Sequence, residues 1–222
     1  MIESKGWEWN EVNDKELPIW KSPSVESYYL IDRWKKRGKF DFLDLGCGIG
    51  RHSILFGKNR FKVSCFDISE DAIKSTQKWA DEENLTFDYK IGDMLNLPYN
   101  KEQFDSILCF NVISHTDTEG VKKAIGEIYR VLKKDGECYL TLCSKDTWGF
   151  KQENWPLIDE NTRLRMEEGT EYKVPHFYAD YTLIKELFKK FEIINTKQVV
   201  DYYEKECTEY KSYHYHILIR KN

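Results

Sequence analysis

The stretch Asp44-Leu45-Gly46-Cys47-Gly48-Ile49-Gly50 closes an apolar run, residues 40–45, and opens onto a segment of helical pattern. Glycines at 46, 48 and 50 permit a tight turn and let a ligand approach the backbone without striking a Cβ. A helix that starts at such a turn points free amide N–H groups outward, where they hold polar or anionic ligands. A glycine-rich turn alone says little. Its place directly after a strand predicts a ligand site at a strand tip.

Working outward, short apolar runs alternate with amphipathic helical patterns. The spacing predicts strands at 40–45, 61–66, 85–91, 104–110 and 137–143, then two more at about 191–200 and 213–219. Several are too continuously apolar for a sheet with one wet face. Ser69 is positioned to cap a helix whose first turn holds Glu70 and Asp71. Thr116 with Glu119 reads as a capping box, followed by Val121, Ile125, Ile128 and Leu132 on one helix face, Lys133 and Lys134 at its end, and Gly136 as its stop. Another helix opens at Ser22-Pro23, and Asp180 caps a helix carrying Leu183, Ile184, Leu187 and Phe188. The pattern implies an α/β fold, a doubly wound and mostly parallel sheet with helices on both faces. The loop between the final two strands is too short for a crossover, so the last strand runs antiparallel. Residues 1–38, with Trp7, Trp9 and Trp20, and an irregular stretch at 144–179 break the rhythm and read as lids over the strand tips.

Composition narrows the function classes. Of 222 residues 41% are hydrophobic and 15% aromatic, too rich for a disordered chain. The net charge of −4 supplies no overall basic field, so nucleic acid is disfavoured as a partner. No run reaches the ~18 apolar residues of a membrane span, and the N-terminus lacks a secretion-signal pattern. The six cysteines include no CxxC pair, which argues against a disulfide framework or zinc knuckle. These features lead us to expect a reduced, cytoplasmic globular protein without membrane association; they assign no oligomeric state.

Asp67 ends the second strand, 21 positions after Gly46. That is the spacing at which an acid accepts hydrogen bonds from the ribose hydroxyls of an adenosine. A dinucleotide fingerprint would place a glycine at position 51, where Arg51 stands; the third glycine falls one residue early, at Gly50. NAD therefore stays open as a lesser alternative. A further acid follows the third strand in Gly92-Asp93-Met94, placed to accept from an adenine amino group.

With these residues the chain resembles the class I S-adenosylmethionine-dependent methyltransferases. The shared features are the glycine turn, Phe66-Asp67-Ile68-Ser69, Gly92-Asp93-Met94, Phe104 to Asn111, and Ile128 to Lys133 with Gly136. The resemblance is strong over about 40–144 and looser from 174 onward. It implies a Rossmann-like seven-stranded sheet within one domain over 1–222: a lid segment at 1–38, a cofactor core at 39–144, a substrate-side insert at 145–179, and the last helix and strands at 180–222. It also implies S-adenosyl-L-methionine as cofactor, with S-adenosyl-L-homocysteine as product. Asp44, Gly46, Cys47 and Gly48 would form the turn at the methionine end, Asp67 would hold the ribose, and Ile68 and Met94 would flank the adenine. Asp93 would take the adenine amino group, Asn111 the amino-acid end or the transfer site, and Trp20 would close over the cofactor. Asn111-Val112-Ile113-Ser114 is not the Asn/Asp-Pro-Pro-Tyr pattern of amino-methylating DNA enzymes. There is no Pro-Cys nucleophile, and no aspartate ends the fourth strand as in metal-dependent catechol enzymes.

A sulfonium methyl is already activated, so alignment and desolvation supply much of the rate, and a general base is needed only where the acceptor must lose a proton. His115, just past the fourth strand, and His176 in the insert are the candidate catalytic residues. His214 and His216 share a strand face, but no third ligand stands near them and no metal is assigned. Trp148, Trp155, Tyr172, Arg163 and Arg165 in the insert would suit a planar or anionic acceptor, or simply pack. The expected partner is a small-molecule acceptor. The alternatives are an RNA or protein methyltransferase and a non-catalytic cofactor sensor.

Overall fold

In β1 (Asp41–Leu45) Phe42 and Leu43 point to opposite sides of the sheet, yet neither is accessible to solvent. Both faces of this strand are therefore covered. The computed structural model describes Trp7, residues 17–205 and residues 208–222. Trp9 and Cys207 lie outside the described residues.

On one face Leu43, Ile107 and Leu140 pack with Val121, Ile125 and Ile128 of α5 (Thr118–Val131) and with Ile184 of α6 (Tyr181–Leu187). On the other, Phe42, Cys65 and Leu108 pack with Leu30 and Trp34 of α2 (Val25–Lys36), Phe56 of α3 (Arg51–Lys58) and Ile73 of α4 (Glu70–Glu82). A short α1 (Leu17–Lys21) precedes them.

The remaining strands are β2 (Lys62–Asp67), β3 (Asp88–Ile91), β4 (Phe104–Cys109), β5 (Leu132–Ser144), β6 (Leu157–Asp159), β7 (Thr162–Leu164), β8 (Pro175–Ala179), β9 (Phe191–Lys205) and β10 (Thr208–Lys221). Strands run β3-β2-β1-β4-β5, all parallel, and continue through β10, antiparallel to β5, to β9 at the edge. This is the expected doubly wound sheet with an antiparallel last strand. The chain reverses direction across the sheet between β1 and β4, so the tips of these two strands flank a crevice.

Four local expectations are corrected. Asp117, not Thr116, caps α5: its Oδ1 accepts from Gly120 N–H at 2.8 Å. The helix also ends at Val131, because Lys133 is drawn into the sheet by Asp41 (2.6 Å) and Asp105 (3.0 Å). The helix read at Ser22-Pro23 starts at Val25, where Ser24 N–H donates to His52 Nε2 at 3.2 Å. The stretch at 144–179 is not irregular: β8 pairs with the end of β5, and β7 and β6 add antiparallel strands beyond it. Ser69 and Asp180 cap as expected, accepting from Ala72 N–H at 3.3 Å and Leu183 N–H at 2.9 Å. No helix among the described residues is long and apolar enough to cross a membrane.

Candidate active site

The glycine turn is shaped by what lies against it. Gly46 has φ +74°, and a Cβ there would stand 2.3 Å from Val112 Cγ2, in the loop that leaves β4. Gly50 has φ +94°, with Thr76 of α4 filling the space a side chain would need. The turn is fastened to the second strand: Gly46 N–H and Cys47 N–H both donate to the Phe66 carbonyl, at 2.7 and 3.0 Å.

Asp67 stands at the centre of this arrangement. Its Oδ2 accepts from Gly48 N–H at 2.8 Å and its Oδ1 from Ser69 N–H at 2.9 Å. Burial raises its pKa, and these backbone donors work against that rise. Each carboxylate oxygen keeps a further acceptor direction. Asp67 faces a cavity lined also by Trp20, Gly46, Cys47, Gly48, Ile68 and Met94. An acid at one end, apolar walls and a side-chain-free turn fit an adenosine-bearing ligand with a polar tail.

Two of the expected contacts are placed elsewhere. Asp44 lies behind the turn, its Oδ2 accepting from Ser53 Oγ at 2.6 Å, and burial raises its pKa to about 6. Asp93 caps its own turn, accepting from Leu95 N–H at 2.8 Å. Neither side chain lines the cavity, whereas Gly92 and Met94 beside Asp93 do. Arg51, His52, Phe110 and Val112 also line it.

Beyond β4 the backbone turns sharply. Asn111 has φ +58°, a conformation that Asn tolerates better than most residues. It is held by Thr141, whose Oγ1 accepts from Asn111 N–H at 2.7 Å and donates to Asn111 Oδ1 at 2.9 Å. Asn111, His115 and Trp7 line the first cavity and also a second chamber. The insert forms part of the second chamber, with Trp148, Trp155, Tyr178 and His214 in its walls.

His176 is not in a loop as expected but in β8, buried, and its ring lies 5.0 Å from that of His115. Between them stands Glu171, whose Oε1 is 3.5 Å from Nε2 of each histidine. Burial lowers the pKa of His115, partly offset by Glu171, so its imidazole is neutral near pH 7. Burial works against charge on Glu171, but His176, His115 and Arg165 outweigh it and hold the carboxyl well below its usual range. No sequence signal marks Glu171, one acid in the run Glu167-Glu168-Gly169-Thr170-Glu171; the folding of β8 beside β5 brings it here.

The arginines of the insert are engaged. Arg163 donates to the carbonyls of Phe150 (2.7 Å) and Trp155 (2.9 Å), and Arg165 pairs with Glu167 (2.6 Å) and Glu171. Arg165 lines the second chamber and Arg163 lines neither cavity. His214 lines the chamber while His216 lies within 2.7 Å of Tyr139 Oη, so the two do not converge. Among the described residues all cysteines are free thiols, and burial raises those of Cys109 and Cys143 to about 12, far from nucleophilic.

Residues 42–136 match the methyltransferase domain family. Over that stretch the chain is similar to methyltransferase domains, and its fold is that of S-adenosylmethionine-dependent methyltransferases. A tRNA (carboxymethyluridine(34)-5-O)-methyltransferase of Arabidopsis thaliana is 33% identical over 134 residues, covering 60% of this chain and 30% of that protein. A ubiquinone biosynthesis O-methyltransferase of Coxiella burnetii is 25% identical over 180 residues, covering 81% and 72%. A crystal structure of a methyltransferase from Methanosarcina mazei superposes with a TM-score of 0.68 at 22% identity, covering 82% of this chain and 92% of that one. S-adenosylmethionine is the cofactor of such methyltransferases, and the first cavity is where the residues of this chain would hold it: Asp67 toward the ribose, Ile68 and Met94 along the adenine, and the Gly46–Gly48 turn toward the amino-acid end.

Proposed function

We propose that this methyltransferase acts on a small-molecule acceptor seated in the second chamber, with His115 and His176, joined by Glu171, as the groups that ionise it. One observation carries the reading: a second pocket, walled by aromatic side chains of the insert, meets the first at Asn111 and His115. When bound, S-adenosylmethionine supplies a methyl on a sulfonium sulfur, which is displaced with the carbon–sulfur electron pair left on sulfur. The chain's own part is to align the acceptor, exclude water and handle the acceptor's proton. Asn111 is fixed by Thr141 at the junction and sets the approach. The neutral imidazole of His115 and the ionised Glu171 give the acceptor's O–H or N–H a basic neighbour. Trp148 and Tyr178 give a flat acceptor apolar walls. The relative from Coxiella, named for an O-methyl transfer in ubiquinone biosynthesis, supports this class of acceptor.

The test is to incubate the protein with methyl-labelled S-adenosylmethionine, a small-metabolite extract and total tRNA, and to fractionate the products. Label should enter the small-molecule fraction. His115→Ala and His176→Ala should reduce it by about 100- to 10,000-fold. Label confined to tRNA would move the reading to RNA, the substrate named for the Arabidopsis relative.

A further inference from the structure

We propose that His115 Nε2, His176 Nε2 and Glu171 Oε1 form a site for a divalent transition-metal ion of the zinc or cobalt type, open on its remaining side to the second chamber. All three atoms lie within 4.8 Å of one another. Glu171 Oε1 is 3.5 Å from each imidazole nitrogen, long beside the ~2.9–3.0 Å usual for N–H···O bonds. An ion about 2.0–2.2 Å from each ligand sets neighbouring tetrahedral donors about 3.3–3.5 Å apart, the spacing of the two carboxylate–imidazole edges here.

The hydrogen bonding around the cluster points the same way. His176 Nδ1 is 3.0 Å from the Val174 carbonyl, which only an N–H can face favourably. In the neutral ring that leaves the Nε2 lone pair directed at a carboxylate oxygen. Two acceptors face each other, and a positive species between them turns repulsion into attraction. The candidates are a second ring proton or a metal ion. The surroundings favour the ion. Val174 orients one ligand and Arg165 holds the other oxygen of Glu171, the outer partners that metal ligands usually have. Arg165 is in turn paired with Glu167 at 2.6 Å, so Arg165, Glu167 and Glu171 together carry one net negative charge facing the site. Two imidazoles and one carboxylate select zinc, cobalt or iron over the oxygen-seeking magnesium and calcium.

The role of the ion rests on the acceptor chamber proposed above and replaces direct proton transfer to His115 or Glu171: the ion would bind the acceptor's oxygen and lower its pKa, so that the proton departs to water. Binding itself is measured without cofactor or acceptor. The metal-stripped full chain is titrated with cobalt(II), followed by its visible d–d absorption, and challenged with zinc. The expected result is saturable binding of one cobalt per chain, displaced by zinc. His176→Ala and Glu171→Gln should each weaken it about 100-fold or more, since loss of an outer partner alone costs 10–100-fold. Neither residue lines the first cavity, so unchanged S-adenosylhomocysteine affinity in both variants shows that they are folded. No saturable cobalt or zinc binding by the wild type would overturn the proposal, and a doubly protonated His176 ring in its NMR spectrum would assign the gap to a proton. Equal cobalt affinity in the variants would place the metal elsewhere and equally overturn it. A chain that fails to bind metal but binds S-adenosylhomocysteine leaves the methyltransferase reading standing, and the reverse pattern sinks that reading instead.

Discussion

Asp44 and Asp67 are two carboxylates of one glycine turn with different duties. Asp67 faces the cavity and organises two backbone amides; Asp44 is entombed behind it with Ser53 as its hydroxyl donor. Burial holds the carboxyl of Asp44 at about 6 in the folded state, against about 3.9 in an unfolded chain. A raised carboxyl pKa contributes stability below about pH 4 that is lost as pH rises through about 6. Above that the wild type carries a buried charge costing on the order of 1–3 kcal/mol. Asp44→Asn keeps an acceptor for Ser53 without the charge. Urea unfolding should show its stability relative to wild type improving from pH 4.5 to pH 7.5; a difference independent of pH would contradict this. At Gly46 two effects combine, a left-handed φ and a Cβ position occupied by Val112. Gly46→Ala should cost about 1–3 kcal/mol and weaken S-adenosylhomocysteine binding. Adding Val112→Ala should restore the packing part and not the backbone part, a coupling that a double-mutant cycle measures.

Among the elements, α2 depends on one buried acid. Glu137 of β5 is inaccessible to solvent. It accepts from Arg33 Nε at 2.8 Å and Nη2 at 2.9 Å and from Trp34 Nε1 at 3.0 Å, and lies 3.2 Å from both Arg37 and Arg220. Burial works against its charge, but Arg33 outweighs it and the pKa is lowered. Removing the charge leaves guanidinium groups facing a neutral partner at the sheet. Glu137→Gln should therefore lose about 3–5 kcal/mol, read as a lower urea midpoint. Glu137→Gln with unchanged stability would mean that apolar contacts of Leu30 and Trp34 alone hold α2. The sequence reported this helix but not its anchor, because Glu137 and Arg33 stand 104 positions apart. The strands and the caps at Ser69 and Asp180 were legible because they rest on local chemistry: alternation, burial and a side chain reaching three residues on. The end of α5 was misread for the converse reason. Lys133 suits a helix terminus locally, yet Asp41 and Asp105 on neighbouring strands hold it in the sheet.

At the scale of the whole molecule, the grouping of residues around the first cavity was legible and the second chamber was not. Gly46, Gly48, Asp67, Ile68, Met94 and Asn111 converge because each sits at or just past a strand tip, a position the order of elements fixes. Asp44 and Asp93 lie in the same motifs but turn toward Ser53 and Leu95, a detail that spacing does not carry. The second chamber depends on a pairing between β5 and β8 that no periodicity announces, and Glu171 reaches it from a segment of polar, loop-like composition. The molecule thus joins a turn written in consecutive residues to a chamber assembled from distant ones, meeting at Asn111 and His115. The most direct measurement of that design is calorimetric titration of the full chain and of Asp67→Ala with S-adenosylhomocysteine. Wild type should bind at one site per chain, and the variant should lose about 1–3 kcal/mol, the cost of unpaired ribose hydroxyls. No binding by wild type, or equal affinity in the two proteins, would contradict the account.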